Sequence, residues 1–196
     1  MDQRENFLFP IFLKLEQLNL LIVGGGNIAL EKITAVIKNS PKTNVTLVAP
    51  EVLKEITDLA LNYPNIKIIQ RPFTQQDLAD RDLLIVATGD KALSAEIKNE
   101  AKKRKILCNV ADTPDLCDFY LGSIVKKGDL KIAISTNGKS PTLAKRMREL
   151  LEESLPDTIQ QLMDNLQAIR NKLSGDFSHK VKVLNELTSE LLKKTE

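Results

Sequence analysis

The residues best suited to chemistry stand where apolar runs stop. Leu20-Leu21-Ile22-Val23 gives way to Gly24-Gly25-Gly26-Asn27-Ile28-Ala29, the order of a buried strand, a tight turn and a helix start. In such a turn Gly24 permits a sharp exit from the strand, Gly26 lets a diphosphate approach the backbone, and small Ala29 keeps the helix tight on its sheet. The N–H groups and positive dipole end of that helix would face the phosphates of a dinucleotide. A glycine turn also joins strand to helix in chains that bind nothing, so the rest of the sequence has to decide between the two.

In an open α/β sheet, ligands lie at the carboxyl ends of the strands. The second strand ends in Ala49-Pro50-Glu51, where Glu51 stands either as the acid that binds an adenosine ribose or as an exposed loop carboxylate. No Arg or Lys adjoins it to take a 2′-phosphate, which favours NAD over NADP. The fourth strand ends in Ala87-Thr88-Gly89-Asp90, with Thr88 placed for a ribose contact and Asp90 for a helix cap. The fifth runs through Cys108-Asn109-Val110-Ala111 to Asp112, the one carboxylate placed where a nicotinamide ring and a substrate should meet. In a partly desolvated setting Asp112 would take a proton as hydride leaves; its plainer use is to cap the turn through Thr113-Pro114. Farther on, Asn137, Lys139 and Ser140 precede Pro141, with Ser140 at the N-cap position and proline at the first helical one. Free N–H groups there, with the Ser140 hydroxyl and the Lys139 ammonium, would make a second anion site. Two such sites in one chain imply a cofactor and an anionic substrate.

The elements that must position these groups alternate regularly. Strands are predicted over 20–23, 44–48, 66–69, 82–87 and 106–110, with helices from the glycine turn to 38 and over 52–61, 75–79 and 92–103. That alternation implies a parallel sheet with helices on both faces. The pattern then changes to β-rich runs over 119–125 and 130–135, separated by Lys126-Lys127-Gly128-Asp129, a hairpin signal. Helices follow: one from Pro141 to about residue 155, one striped by Ile159, Leu162, Met163, Leu166, Ile169 and Leu173, and one carrying Val181, Leu184, Leu187 and Leu191. These stripes are expected to serve core or dimer packing.

Composition narrows the class. A chain of 196 residues has room for one full domain and a smaller appendage. The balance of 28 basic to 26 acidic residues, net +2, speaks against nucleic acid as a partner. Between Lys126 and Arg148, however, seven basic residues meet the single acid Asp129, either as a solvated face or as a surface for a substrate with many carboxylates. Cys108 and Cys117 are too few for a disulfide framework and not spaced as a metal pair, which fits a reducing compartment. With His179 as the one histidine, no His-rich metal site is expected. The apolar segment Phe7 to Leu13 contains Pro10 and is far short of the roughly 20 residues that span a bilayer. It lacks a basic start and a cleavage site, so neither a signal peptide nor a membrane partner is expected, and the cytoplasm is the expected location.

Taken together, the motifs resemble the siroheme-synthase dehydrogenase family, that is, precorrin-2 dehydrogenases or sirohydrochlorin synthases, some of which are also ferrochelatases. The residues that carry the resemblance are Phe9-Pro10-Ile11-Phe12-Leu13, Val23 to Ala29, Ala87 to Asp90, Asn109 to Asp112 and Ser135 to Pro141, in the family's order. They span residue 7 to about 150; the tail from Pro156 agrees only in general character. The resemblance implies a Rossmann-like NAD-binding domain over 1–113, a small β-rich dimerisation and substrate region over 114–155, and a helical region over 156–196. It implies NAD-dependent oxidation of precorrin-2 to sirohydrochlorin, on the way to siroheme or, in some organisms, cobalamin, by a homodimer. Gly24, Gly25, Gly26, Asn27, Ile28, Pro50, Glu51, Thr88 and Asn109 would hold the cofactor, Asp112 would be the catalytic aspartate, and Ser140, with Lys139 and Asn137, would meet the tetrapyrrole. Iron insertion is a secondary expectation, with no ligand cluster for a stored metal and no appended methyltransferase domain. The competing class is a non-catalytic NAD- or nucleotide-sensing module, which needs the glycine turn but neither Asp112 nor the Ser140 helix start.

Overall fold

The computed structural model describes residues 6–189, so Leu191 of the last apolar stripe lies outside the described residues. Five parallel strands, β1 (Asn19–Val23), β2 (Asn44–Ala49), β3 (Ile66–Gln70), β4 (Leu83–Val86) and β5 (Leu107–Val110), form one sheet in the order β3-β2-β1-β4-β5. Helices α1 (Asn27–Asn39), α2 (Lys54–Asn62) and α3 (Lys91–Lys103) complete the expected α/β alternation. The segment expected as a short helix at 75–79 is a 3-10 turn, Gln75–Leu78.

Both faces of this sheet are covered, which is why β4 and, after Asn19, β1 are apolar throughout. Successive side chains point to opposite faces. Leu20, Ile22, Leu47 and Ile85 pack with Ile33, Ile37 and Ile56 from α1 and α2. Leu21, Val23, Val48, Leu84 and Val86 pack on the other face with Ile97 and Ala101 of α3. The chain moves outward from β1 through β2 to β3, then crosses over to β4 on the other side of β1. At that reversal the loops leave in opposite directions and a crevice opens at the carboxyl ends.

Chain compactness follows a partition other than the boundaries expected at 113 and 155. One unit comprises the residues up to Gly122 with Ser135–Pro141; the other comprises Ser123–Ile134 with the chain from Thr142 on. In the second unit β6 (Ser123–Lys127) and β7 (Leu130–Ile134) pair antiparallel around Gly128-Asp129, with Gly128 at φ +59. The hairpin starts later than the expected residue 119, because Phe119 is engaged elsewhere: its carbonyl accepts a hydrogen bond from Asn109 Nδ2 at 2.8 Å. Three helices follow, α4 (Pro141–Ser154), α5 (Ile159–Lys172) and α6 (Phe177–Leu187). Gln160 of α5 clasps the hairpin turn, accepting from Asp129 N at 2.7 Å and donating to Asp129 Oδ2 at 3.0 Å. Of this unit's described apolar residues only Val125 and Ala144 are fully buried, while Leu143, Leu150, Phe177 and Leu187 are more than half exposed. Within one chain, then, the helical stripes are covered only in part. No helix among the described residues is long and apolar enough to cross a membrane.

Candidate functional site

The crevice at the sheet reversal is a cleft of about 790 Å³ lined by Gly24, Gly25, Gly26, Asn27 and Ile28, by Pro50 and Glu51, and by Thr88. Eight of the nine residues expected to hold a cofactor therefore converge on one surface, Asn109 being the exception. Its size falls in the range of small-molecule sites.

The three glycines do different things. Gly24 has φ +120, and a Cβ there would stand 2.2 Å from the Ala87 carbonyl oxygen. Gly25 is packed against the loop after β2: a Cβ would stand 2.1 Å from the Glu51 carbonyl oxygen, and the Gly25 carbonyl accepts from Leu53 N at 2.9 Å. Gly26 differs from both. Its φ of −90 suits any residue, and a Cβ built on it would meet nothing within 4 Å. The fold itself does not need glycine at 26, since a Cβ there would stand in open space at the wall of the cleft. Gly26 is also the N-cap of α1, and no side chain caps that helix. The first-turn N–H groups of Asn27, Ile28 and Ala29 are thus left for an anion. By contrast α3, which opens at the same edge, is closed by Asp90, whose carboxylate accepts from Ala92 N at 2.8 Å and Leu93 N at 3.1 Å. An open helix end beside a side-chain-free cradle fits a dinucleotide diphosphate.

Glu51 lies exposed at the cleft edge after β2, without a hydrogen-bond or ion-pair partner among the described residues. Lys54, the nearest cation in sequence, pairs with Asp58 at 2.9 Å. Thr88 lines the cleft, but its hydroxyl already serves a local network with Ser94 Oγ at 2.9 Å and the Asp90 carbonyl at 3.1 Å. Pro72 and Phe73, from the loop after β3, also line the cleft and were not among the residues expected from sequence. That loop is held by Asp77, which accepts from Arg71 Nη2 at 2.6 Å, Arg71 Nη1 at 2.8 Å and Thr74 N at 2.8 Å. The Arg71 guanidinium and the Thr74 donors hold the Asp77 carboxyl below the usual carboxylate range. A native pKa below the unfolded one contributes stability that is present above the unfolded value and is lost as pH falls through the native value. Asp77→Asn is accordingly expected to be less stable than the parent at pH 7, with the gap closing on acidification below the ordinary aspartate pKa of about 3.9. Urea unfolding of both proteins across that range measures it.

Asp112 follows β5 at the same end of the sheet, in a left-handed conformation (φ +57) that aspartate tolerates. Its side chain is exposed, does not line the cleft, and has no partner among the described residues. This departs from the expected partly desolvated setting. It also departs from the cap reading, since the 3-10 turn Pro114–Leu116 has Thr113 at its N-cap and no side-chain cap. The stem beneath Asp112 is fastened along the outer edge of β5. Asp118 accepts from Cys108 N at 2.9 Å and donates its own N–H to the Cys108 carbonyl at 2.8 Å, while Cys117 Sγ accepts from Val110 N at 3.2 Å. Lys98, nearly buried on α3, pairs with Asp118. Asn109, expected at the cofactor, is buried and spends its amide on this clasp. Lys98→Met should cost about 1–3 kcal/mol of stability by unpairing Asp118, read by urea unfolding. Burial pushes the Cys108 thiol up to about 12 and raises that of Cys117 as well, so neither is a thiolate nucleophile near neutral pH.

The loop Ser135–Pro141 is wound on itself, with Asn137 and Gly138 at positive φ. Asn137 N donates to Ser135 Oγ at 3.2 Å, Lys139 N to the Thr136 carbonyl at 3.1 Å, and Ser140 N to Thr136 Oγ1 at 3.1 Å. The free N–H groups expected in this loop are therefore spent locally. Lys139 stays exposed, and α4 begins at Pro141 directly after Ser140, as expected. Among the described residues no three of His, Cys, Asp and Glu converge as a metal site.

Comparison with known proteins adds to this geometry. Residues 11–123 match the family described as "Putative NAD(P)-binding", and residues 127–154 match the family "Sirohaem biosynthesis protein central". The siroheme synthase of Nitrosomonas europaea is 35% identical over 170 residues, 87% of this chain and 35% of that protein. The siroheme synthase of Psychrobacter cryohalolentis is 37% identical over 174 residues, 89% of this chain and 31% of that protein. This chain thus spans about a third of the length of these relatives. Among solved structures, "SirC, precorrin-2 dehydrogenase" superposes with a TM-score of 0.73 at 25% identity, covering 95% of this chain and 90% of that one.

Proposed function

Because the chain belongs to the siroheme-synthase dehydrogenase family of NAD(P)-binding proteins, we propose that it oxidises precorrin-2 to sirohydrochlorin with NAD. The observation that carries this reading is a glycine-lined cleft at the sheet reversal, with a carboxylate, Asp112, that has no partner among the described residues at the same edge of the sheet. When bound, NAD supplies the hydride acceptor; the residues of the chain do the rest. Gly26 and the first-turn N–H groups of α1 hold the diphosphate. Glu51 accepts from ribose hydroxyls and repels a 2′-phosphate, which selects NAD over NADP. Asp112 takes the proton released as the substrate loses its hydride, which balances the two-electron oxidation. Exposed in the single chain, this carboxylate acquires a drier setting when substrate covers it. Lys139, Asn137 and Ser140 meet the substrate's carboxylates as a point charge and hydrogen-bond donors.

The working form in this reading is a cytoplasmic homodimer. Support comes from the exposed apolar side chains of the second unit, among them Leu143, Leu150, Phe177 and Leu187, which a single chain leaves in water. Light scattering is expected to give twice the chain mass, and a monomer at micromolar concentration would exclude the dimer.

Anaerobic incubation of the purified protein with precorrin-2 and NAD, followed by sirohydrochlorin absorbance, tests the reaction. NAD-dependent product formation is the expected result. NAD binding without product would instead favour the sensing module. A parallel incubation of sirohydrochlorin with ferrous iron and no NAD reads iron insertion separately.

A further inference from the structure

We propose that Phe73 forms the wall on which the adenine of the bound dinucleotide packs, and that Arg71 and Asp77 preset the loop bearing it. This rests on NAD occupying the cleft. The cleft is chemically divided: its glycine turn offers N–H groups, whereas the loops after β2 and β3 offer Pro50, Val52, Leu53, Pro72 and Phe73. A dinucleotide is divided the same way, with an anionic middle and flat aromatic ends. Its nicotinamide lies toward β4 and β5, where β5 leads into Asp112, so its adenine lies toward β2 and β3.

Phe73 is half-buried; it packs against the core cluster on the α3 face of the sheet and also lines the cleft. An aromatic face kept in a cleft gains most when another flat apolar group covers it. The loop is built to hold that face still. Asp77 is only 7% exposed and takes both Arg71 nitrogens together with the Thr74 N–H, and Arg71 Nη1 also donates to the Pro72 carbonyl at 2.9 Å. The backbone on both sides of Phe73 is thus tied to one buried carboxylate, and little ordering remains to be done when the base arrives.

The test is titration of the full chain and of Phe73→Ala with NAD, ADP-ribose and nicotinamide mononucleotide. In Phe73→Ala the Kd values for NAD and ADP-ribose should rise together, by about tenfold, and that for the mononucleotide should not change. Phe73→Trp should restore both. If the alanine variant fails to fold, Phe73→Leu, which keeps the core contacts, should still weaken ADP-ribose binding. Equal ADP-ribose affinity in parent and variant, or an equal loss for the mononucleotide, would overturn the assignment of Phe73 while leaving the NAD site in place. A parent chain that binds neither NAD nor ADP-ribose would overturn the underlying reading and this one with it.

Discussion

Asp112→Asn is expected to lower kcat for precorrin-2 oxidation by about 10²–10⁴-fold, the usual worth of a positioned general base, with NAD affinity unchanged. Asparagine is the right replacement because position 112 has φ +57, a left-handed conformation that asparagine tolerates and alanine strains. The carboxylate has no partner among the described residues, so nothing in the fold is unpaired by the change, and the melting temperature should stay put. The backbone at 112 is carried instead by the clasp on β5, through Asp118, Cys117 and Asn109. A loss confined to kcat therefore reports chemistry. Full turnover in Asp112→Asn would remove this residue as the proton acceptor and turn attention to carboxylates the substrate brings itself.

The glycine turn should separate folding from binding within three residues. Gly24→Ala and Gly25→Ala place a Cβ 2.2 Å and 2.1 Å from backbone oxygens of Ala87 and Glu51, neither of which can move without displacing β4 or the loop after β2. Gly24 also has φ +120, where alanine is strained. Each is expected to cost about 4 kcal/mol or more, in the exceptional tail of single substitutions. Gly26→Ala, with open space around its Cβ and φ −90, should stay within about 1 kcal/mol of the parent, because the less flexible unfolded chain offsets the poorer fit of alanine at an N-cap. Its NAD affinity should nonetheless fall by about tenfold or more, because the new methyl occupies the approach of the diphosphate. Thermal melts and NAD titrations on the same three proteins read both effects. If Gly26→Ala bound NAD as tightly as the parent, the diphosphate would have to lie away from the α1 end.

The alternation of strands and helices and the place of the glycine turn between β1 and α1 were legible in the sequence for a local reason. An apolar run of four residues closed by glycine, or a stripe at three- and four-residue spacing, states its own burial and period. Strand ends follow from those patterns, and the ends in a parallel sheet all face one edge, so eight of the nine proposed cofactor residues could be placed before any contact was known. What each polar group is bonded to is a different matter. Asn109 reads as a strand-end amide facing a ligand, yet the chain returns along the edge of β5 and takes that amide for the Phe119 carbonyl. The N–H groups of the Ser135–Pro141 loop read as free, yet the Thr136 hydroxyl and carbonyl accept two of them. Phe73 reads as one more apolar residue beside a proline, and only the adjacency of β3 to β2 brings it to the cleft. Pattern along the chain determined which elements form and which edge carries the chemistry. Which polar groups remain free for a ligand was decided by the tertiary structure, because buried donors and acceptors must be satisfied by whatever the folded chain brings near, and sequence spacing does not encode that choice.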